Sequence, residues 1–311
     1  MNNKRIIFMG TPDFACAILQ RLIDEKYNVV AVVSQPDKKV GRKQELTMTP
    51  IKVLALKHDL PVLQPIQIKS DYEEILAYQP DCIVTCAYGQ IIPDVVLNAP
   101  THGSVNVHAS LLPKLRGGAP IHKAIITGKC ESGVSIMRMV KKMDAGAVCG
   151  VARVPIDEND TMGVLHDKLA VAGANVLMEQ LPSVLEDKAI FIEQDESKVT
   201  YAWNISKEEE KIDLSHSIHH VYNQVRGLIP YPVGYLLLEG KKVKLHKASK
   251  IVKKHSHAIG EFVGYENECL LIACIEGYLC IQELQLEGKS KTTAKDFYNG
   301  QGKSLIGKVF E

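Results

Sequence analysis

In the stretch "SVNVHASLLPKLRGGAPIHKAI", residues 104–125, an amide and an imidazole stand two positions apart in an otherwise apolar alternation. Strand side chains repeat with a period of two, so Asn106 and His108 project from one face at the C-terminal end of a short strand. An amide donates two hydrogen bonds and a protonated imidazole is a charged donor, so the pair suits an oxyanion developing on a carbonyl. That chemistry is acyl transfer. No G-x-S-x-G elbow and no evident nucleophilic cysteine accompanies the pair, which favours direct attack by a substrate amine over a covalent enzyme intermediate.

A histidine with an ordinary pKa of about 6.5 needs a nearby carboxylate to stay charged at neutral pH. Asp144, in "MVKKMDAGAV", follows an expected strand and stands beside Gly146, where a turn can aim it inward. Taken singly, Asn106 and His108 also read as strand-end polar residues and Asp144 as a turn residue; the combination is what points to chemistry. After the pair, "ASLLPKLRGGAP" reads as a loop, with Pro113 fixing one bend and Gly117 and Gly118 relieving the steric limits of another.

The elements that must position these residues follow from the pattern. "KRIIFMG" reads as a strand, "PDFACAILQRLIDEKY" as a helix with Pro12 in its first turn, and "NVVAVVSQ" as a second strand. "PIKVLALKHDL", "PVLQP", "DYEEILAYQ" and "DCIVTCAY" continue the alternation. Short apolar strands separated by amphipathic helices predict an α/β domain with a mostly parallel sheet covered on both faces. "TMGVLHDKLAVAGANVLMEQLPSVLE" reads as a long helix closing that domain. Beyond a further helix at "SHSIHHVYNQVRGL", short strands with turn residues roughly every ten positions predict a smaller antiparallel barrel or sandwich.

The chain has 311 residues, 46% hydrophobic and 23% charged, with a formal net charge of +1. Such a length predicts two domains, and the charge balance gives no global attraction to a polyanion, so any such partner must be held by local patches. No signal peptide and no membrane-spanning run is read, which predicts a cytoplasmic protein with no membrane partner. The eight cysteines form no C-x-x-C pair; they are expected to be reduced and mostly buried, and no metal is expected. "GTPDFA" supplies only the first glycine of G-x-G-x-x-G, and Asp13 would oppose a phosphate at the helix N-terminus, so a dinucleotide cofactor is disfavoured.

"NVHASLLPKLRGGAPI" resembles the signature of the formyltransferases that use a formylated tetrahydrofolate. The similarity continues through "FMGTPDFA", "VVSQPDKKVGRK", "PDCIVTCAYGQIIP", "DKLAVAGANVL", "VRGLIPYP" and "LQLEGKSKTTAKDFYNG". It implies a Rossmann-like catalytic domain over residues 1–188, a linker over 189–206 and an OB-like, tRNA-binding β-barrel domain over 207–311. It further implies catalytic roles for Asn106, His108 and Asp144, a folate-binding role for Ser110, Leu111, Leu112 and Pro113, and 10-formyltetrahydrofolate as formyl donor. Ala147 stands where the family often has a polar residue and Tyr231 where it commonly has Trp.

The resemblance implies methionyl-initiator-tRNA as the acceptor, which requires local positive charge. "QPDKKVGRKQELTMTP" offers Lys38, Lys39, Arg42 and Lys43 in a loop between a strand and a helix, and "GKKVKLHKASKIVKK" holds seven lysines and no acid. Both are candidate phosphate contacts, with a merely solvated charge run as the alternative for each. Two other activities share such signatures: formylation of an aminosugar nucleotide and hydrolysis of formyl-folate. A non-catalytic tRNA-binding protein is the alternative outside enzymes, and a monomer is the default expectation.

Overall fold

Five-residue, mostly apolar runs form three adjacent strands of the first sheet. A computed structural model describes residues 3–41 and 44–311. Its strands are β1 (Ile6–Gly10), β2 (Val29–Val33), β3 (Lys38–Val40), β4 (Glu45–Thr47), β5 (Val62–Leu63), β6 (Cys82–Cys86), β7 (Ser104–His108), β8 (Glu131–Arg138), β9 (Val148–Pro155), β10 (Tyr235–Leu238), β11 (Lys241–Val252), β12 (Phe262–Glu266), β13 (Cys269–Cys274), β14 (Gly277–Leu286) and β15 (Thr292–Thr293). The helices are α1 (Asp13–Asp24), α2 (Pro50–Lys57), α3 (Glu73–Ala77), α4 (Asp94–Leu97), α5 (Pro120–Ile126), α6 (Met162–Leu185), α7 (Ile218–Gly227) and α8 (Ala294–Gly300).

The chain forms two units. The first comprises Met1–Gly117, Ser132–Pro155 and His166–Tyr201. Its seven-stranded sheet runs β5-β2-β1-β6-β7-β8-β9. Every residue of β1 and β6 is buried, as strands covered on both faces require. β1 pairs in parallel with β2 and β6, β6 with β7, and the direction reverses at β8. This is the expected α/β architecture. One local expectation is corrected: the segment carrying Lys38 and Lys39 is a β-hairpin, with Lys38 opposite Thr47 and Lys39 opposite Leu46. Arg42 and Lys43 lie outside the described residues.

The second unit comprises Gly118–Glu131, Ile156–Leu165 and Ala202–Glu311. Its strands run β10-β11-β14-β13-β12, all antiparallel, with β15 on β14. The C-terminal residues bridge the two ends of that path: Leu237 and Glu311 exchange backbone hydrogen bonds, Phe262 N–H donates to Lys308, and Phe310 N–H donates to Gly260. The sheet thereby curls into a barrel, which removes its free edges. Ile218, Val221, Val225, Phe262, Leu279 and Phe310 fill its core. Along β11, Val243 and Leu245 are buried while Lys241, Lys242 and Lys247 are exposed, so the alternation sorts the apolar residues inward and the lysines outward.

Five of the eight cysteines are buried, and all eight are free thiols. Among the described residues no helix is long and apolar enough to cross a membrane.

Candidate active site

Open parallel sheets offer their ligand sites at the carboxyl ends of strands. Asn106 and His108 stand there on β7. In register, Asn106 lies between Thr85 of β6 and Met137 of β8, and His108 lies opposite Ser135. The Thr85 hydroxyl donates to Asn106 Oδ1 at 2.8 Å. That bond orients the amide, because the oxygen is held by Thr85 and the Nδ2 donors face away from it.

His108 is buried, with 6% of its surface exposed. Its Nε2 is 3.2 Å from the carbonyl oxygen of Leu115, and its Nδ1 is 3.7 Å from Asp144 Oδ1. Each ring nitrogen thus faces an oxygen, Nε2 within hydrogen-bond distance and Nδ1 within ion-pair distance. The other Asp144 oxygen accepts the Gly117 backbone N–H at 2.8 Å. The expected approach of Asp144 to His108 is therefore present, and a glycine of the loop holds it.

The loop backbone is unusual where it meets these groups. Leu115 has φ +59° and Asp144 has φ +47°, left-handed values that non-glycine residues seldom adopt and that concentrate at functional sites. The two glycines have different reasons. Gly117 has φ +118° and aims its N–H at Asp144. At Gly118 an added Cβ would collide with Asn204 Oδ1. Gly146, two residues after Asp144, has no room for a Cβ against the Arg138 carbonyl.

Ser110 is fully buried and its hydroxyl donates to the Lys114 carbonyl at 2.7 Å, so it shapes the loop. The Ser135 hydroxyl accepts from Leu112 N–H at 3.1 Å and donates to the Ser110 carbonyl at 2.8 Å. Leu111 is half-buried and packs over Gly133. Leu112 and Pro113 border a cavity of about 340 Å³ whose other walls include Val148, Cys149, Val151, Ile192 and Gln194. Burial pushes the Cys149 thiol up to about 11, so it is no nucleophile at neutral pH. Lys38 and Lys39 are exposed on the hairpin.

Sequence reasoning missed Thr85, the Leu115 carbonyl and the Gly117 N–H as partners. A signal existed for Thr85, the one hydroxyl in the apolar strand "CIVTC"; none existed for the backbone groups.

A family profile described as formyl transferase matches residues 4–181, and one described as formyl transferase, C-terminal domain, matches residues 204–302. The chain belongs to the formyl transferase family. Among curated formyl transferases it is 48% identical over 304 residues to the methionyl-tRNA formyltransferase of Geobacillus sp., spanning 97% of this chain and 96% of that one. It is also 48% identical over 299 residues to the methionyl-tRNA formyltransferase of Bacillus thuringiensis subsp. konkukian, spanning 95% of each. Solved structures share the formyl transferase fold. WlaRD, a sugar 3N-formyl transferase solved in the presence of dTDP and 5-N-formyl-THF, superposes with a TM-score of 0.66 at 20% identity, covering 93% of this chain and all of its own. A variant of HypX from Aquifex aeolicus superposes with a TM-score of 0.71 at 16% identity over 98% of this chain, which spans half the length of HypX.

Proposed function

We propose that the protein transfers the formyl group of 10-formyltetrahydrofolate to the free amino group of methionyl-initiator-tRNA, yielding N-formylmethionyl-tRNA for translation initiation in the cytoplasm. The observation that carries this reading is the 48% identity to methionyl-tRNA formyltransferases along nearly the whole of both chains. The site supports it in chemical terms: two donors and a carboxylate at the end of β7 suit transfer of a carbonyl group to an amine.

The folate supplies a formyl carbon bound to a nitrogen leaving group. Apolar Leu112, Pro113, Val148, Val151 and Ile192 offer a wall on which a flat ring system fits, in a cavity within the range of small-molecule sites. As the substrate amine attacks the formyl carbon, charge develops on the formyl oxygen. Asn106 Nδ2 donates to that oxygen, and His108 Nε2 exchanges the Leu115 carbonyl for it. Asp144, anchored by Gly117, holds its free oxygen toward His108 and accepts the proton that the amine loses on the way to the folate nitrogen.

Lys38 and Lys39 on the hairpin, together with Arg42 and Lys43, and the outward lysines of β11 contact tRNA phosphates. Arg42→Ala is expected to raise KM for the charged tRNA and leave folate binding unchanged; equal loss on both substrates would count against that role.

The test is transfer of labelled formyl from formyl-tetrahydrofolate to charged initiator tRNA, beside uncharged tRNA, an elongator methionyl-tRNA and an aminosugar nucleotide. Label selectively on the charged initiator tRNA is expected. Label on the sugar would keep the chemistry and overturn the acceptor, and no transfer by folded protein would overturn the reaction.

A further inference from the structure

Residues 190–201 carry one short 3-10 turn, Glu196–Lys198, and isolated β-bridges at Ile192 and Tyr201. Their hydrogen bonds nevertheless tie together the two loops that flank His108. At one end, Ile192 and Val148 exchange two backbone bonds, each 2.9 Å. At the other, the Thr200 carbonyl accepts Arg116 N–H and its hydroxyl oxygen accepts Leu115 N–H, both at 2.9 Å.

Between these anchors lies Gln194. Its Nε2 donates to the carbonyls of Asp144 at 2.8 Å and Gly146 at 2.7 Å, and its Oε1 accepts from Arg116 Nε at 3.1 Å and from a terminal guanidinium nitrogen at 2.8 Å. Both amide donors and the acceptor are thereby used on the two loops at once. Arg116 is fully buried, and its charge is balanced by Glu196 at 2.8 Å. Glu196 also holds Lys142, two residues before Asp144, at 2.6 Å.

We propose that Gln194 is a positioning residue for formyl transfer: by locking the turn of Asp144 against the buried Arg116, it sets where the Asp144 carboxylate stands relative to His108. The proposal rests on Asp144 acting as the partner of His108 in the reaction. Three features argue for a lock beyond ordinary loop packing. The Asp144 backbone is left-handed and needs its surroundings to hold it there. The carboxylate is fixed from the side chain by Gly117 and from its own carbonyl by Gln194. Loss of the Gln194 oxygen would leave the buried guanidinium with Glu196 as its one remaining acceptor among the described residues, so the amide's two ends are tied to two loops at once.

Gln194→Glu separates the two halves of the lock. It keeps an acceptor for Arg116 but removes both donors to the Asp144 turn. The expected result is a kcat reduced at least about 10-fold with KM for tRNA within about 3-fold, in a protein whose thermal midpoint lies within a few degrees of wild type. Placed on Asp144→Asn, the same substitution should give no further loss of kcat, because the group it positions is gone. Hydrogen exchange, which requires no turnover, should show faster exchange over residues 139–146 in Gln194→Glu and no change in β1 or β6.

Unchanged exchange over 139–146, unchanged kcat, or an equal further loss on Asp144→Asn would each overturn the proposal. A wild-type protein that formylates nothing would instead overturn the proposed function, and the exchange comparison would still decide whether Gln194 holds the turn.

Discussion

The stretch from Ser104 to Gly118, strand β7 and the loop after it, and the segment from 190 to 201 serve one site in opposite ways. The first presents groups to a substrate: Asn106 with its amide donors turned away from Thr85, and His108 between Leu115 and Asp144. The second has Gln194, Glu196 and Thr200 spending their polar groups on neighbouring protein. Chemistry and geometry are thus supplied by stretches some 80 residues apart. Losses in the first region should fall on the chemical step directly. Losses in the second should fall on it only through the placement of Asp144 and His108.

The largest effects are expected from the donors. Asn106→Ala and His108→Ala should each reduce kcat roughly 10²- to 10³-fold, the typical cost of one oxyanion donor. KM for both substrates should change little, because the donors bind the oxygen most strongly when it is charged. Steady-state kinetics at saturating folate would check this; a rate within a few-fold of wild type for either variant would remove it from the chemistry and dissolve the contrast between the regions.

Gly117→Ala comes next, since Gly117 belongs to the presenting loop yet acts on Asp144 as Gln194 does. Forcing alanine to φ +118° costs on the order of 1–3 kcal/mol of backbone strain. Relief of that strain would swing the N–H off the Asp144 carboxylate. A kcat lowered about 10-fold with a thermal midpoint a few degrees lower is expected. A lower midpoint with full activity would mean that Asp144 keeps its place without the Gly117 N–H.

How much of this was legible in the sequence follows the same division. The period-two spacing placed Asn106 and His108 on one strand end, and the apolar runs of β1, β2 and β6 gave the parallel sheet, because burial on both faces leaves an unmistakable pattern. The hairpin of β3 and β4 was read as a loop because its six strand residues are all exposed and carry no alternation. Closure of the barrel by Lys308–Glu311 rests on pairing with Leu237 and Gly260, which no local pattern announces. Gln194 was invisible for a similar reason: its partners are 48, 50 and 78 residues distant and two are backbone carbonyls.

Thr200→Val sharpens the comparison from the far end of the segment. The substitution keeps the Thr200 carbonyl, which holds Arg116 N–H, and removes only the hydroxyl acceptor of Leu115 N–H. Leu115 supplies the carbonyl facing His108, so a loosened Leu115 should reduce kcat by about 2- to 5-fold, since one neutral hydrogen bond contributes roughly 1 kcal/mol. Comparing kcat for Thr200→Val and Thr200→Ser checks it, with serine expected to restore the rate. If serine fails to rescue, the hydroxyl is not the relevant group.

The smallest effect is expected at Glu196, and its smallness is what makes it informative. Hydrogen bonds from Arg116 and then Lys142 hold its carboxyl below the usual glutamate range. A carboxyl with a depressed folded value contributes stability that is fully present above its unfolded value of about 4.3 and is lost as pH falls through the folded value. At neutral pH the bridge is therefore intact, yet the side chain is 56% exposed and screened by water. Arg116 also retains Gln194 when Glu196 is neutralised. Glu196→Gln should then leave kcat within about 2-fold at pH 7 and flatten the acid limb of thermal stability below about pH 4.5 relative to wild type. Melting curves between pH 3.5 and 7 would check it. A loss as large as that of Gln194→Glu would mean that the buried guanidinium's charge balance, and not the amide's grip on the Asp144 turn, sets the site.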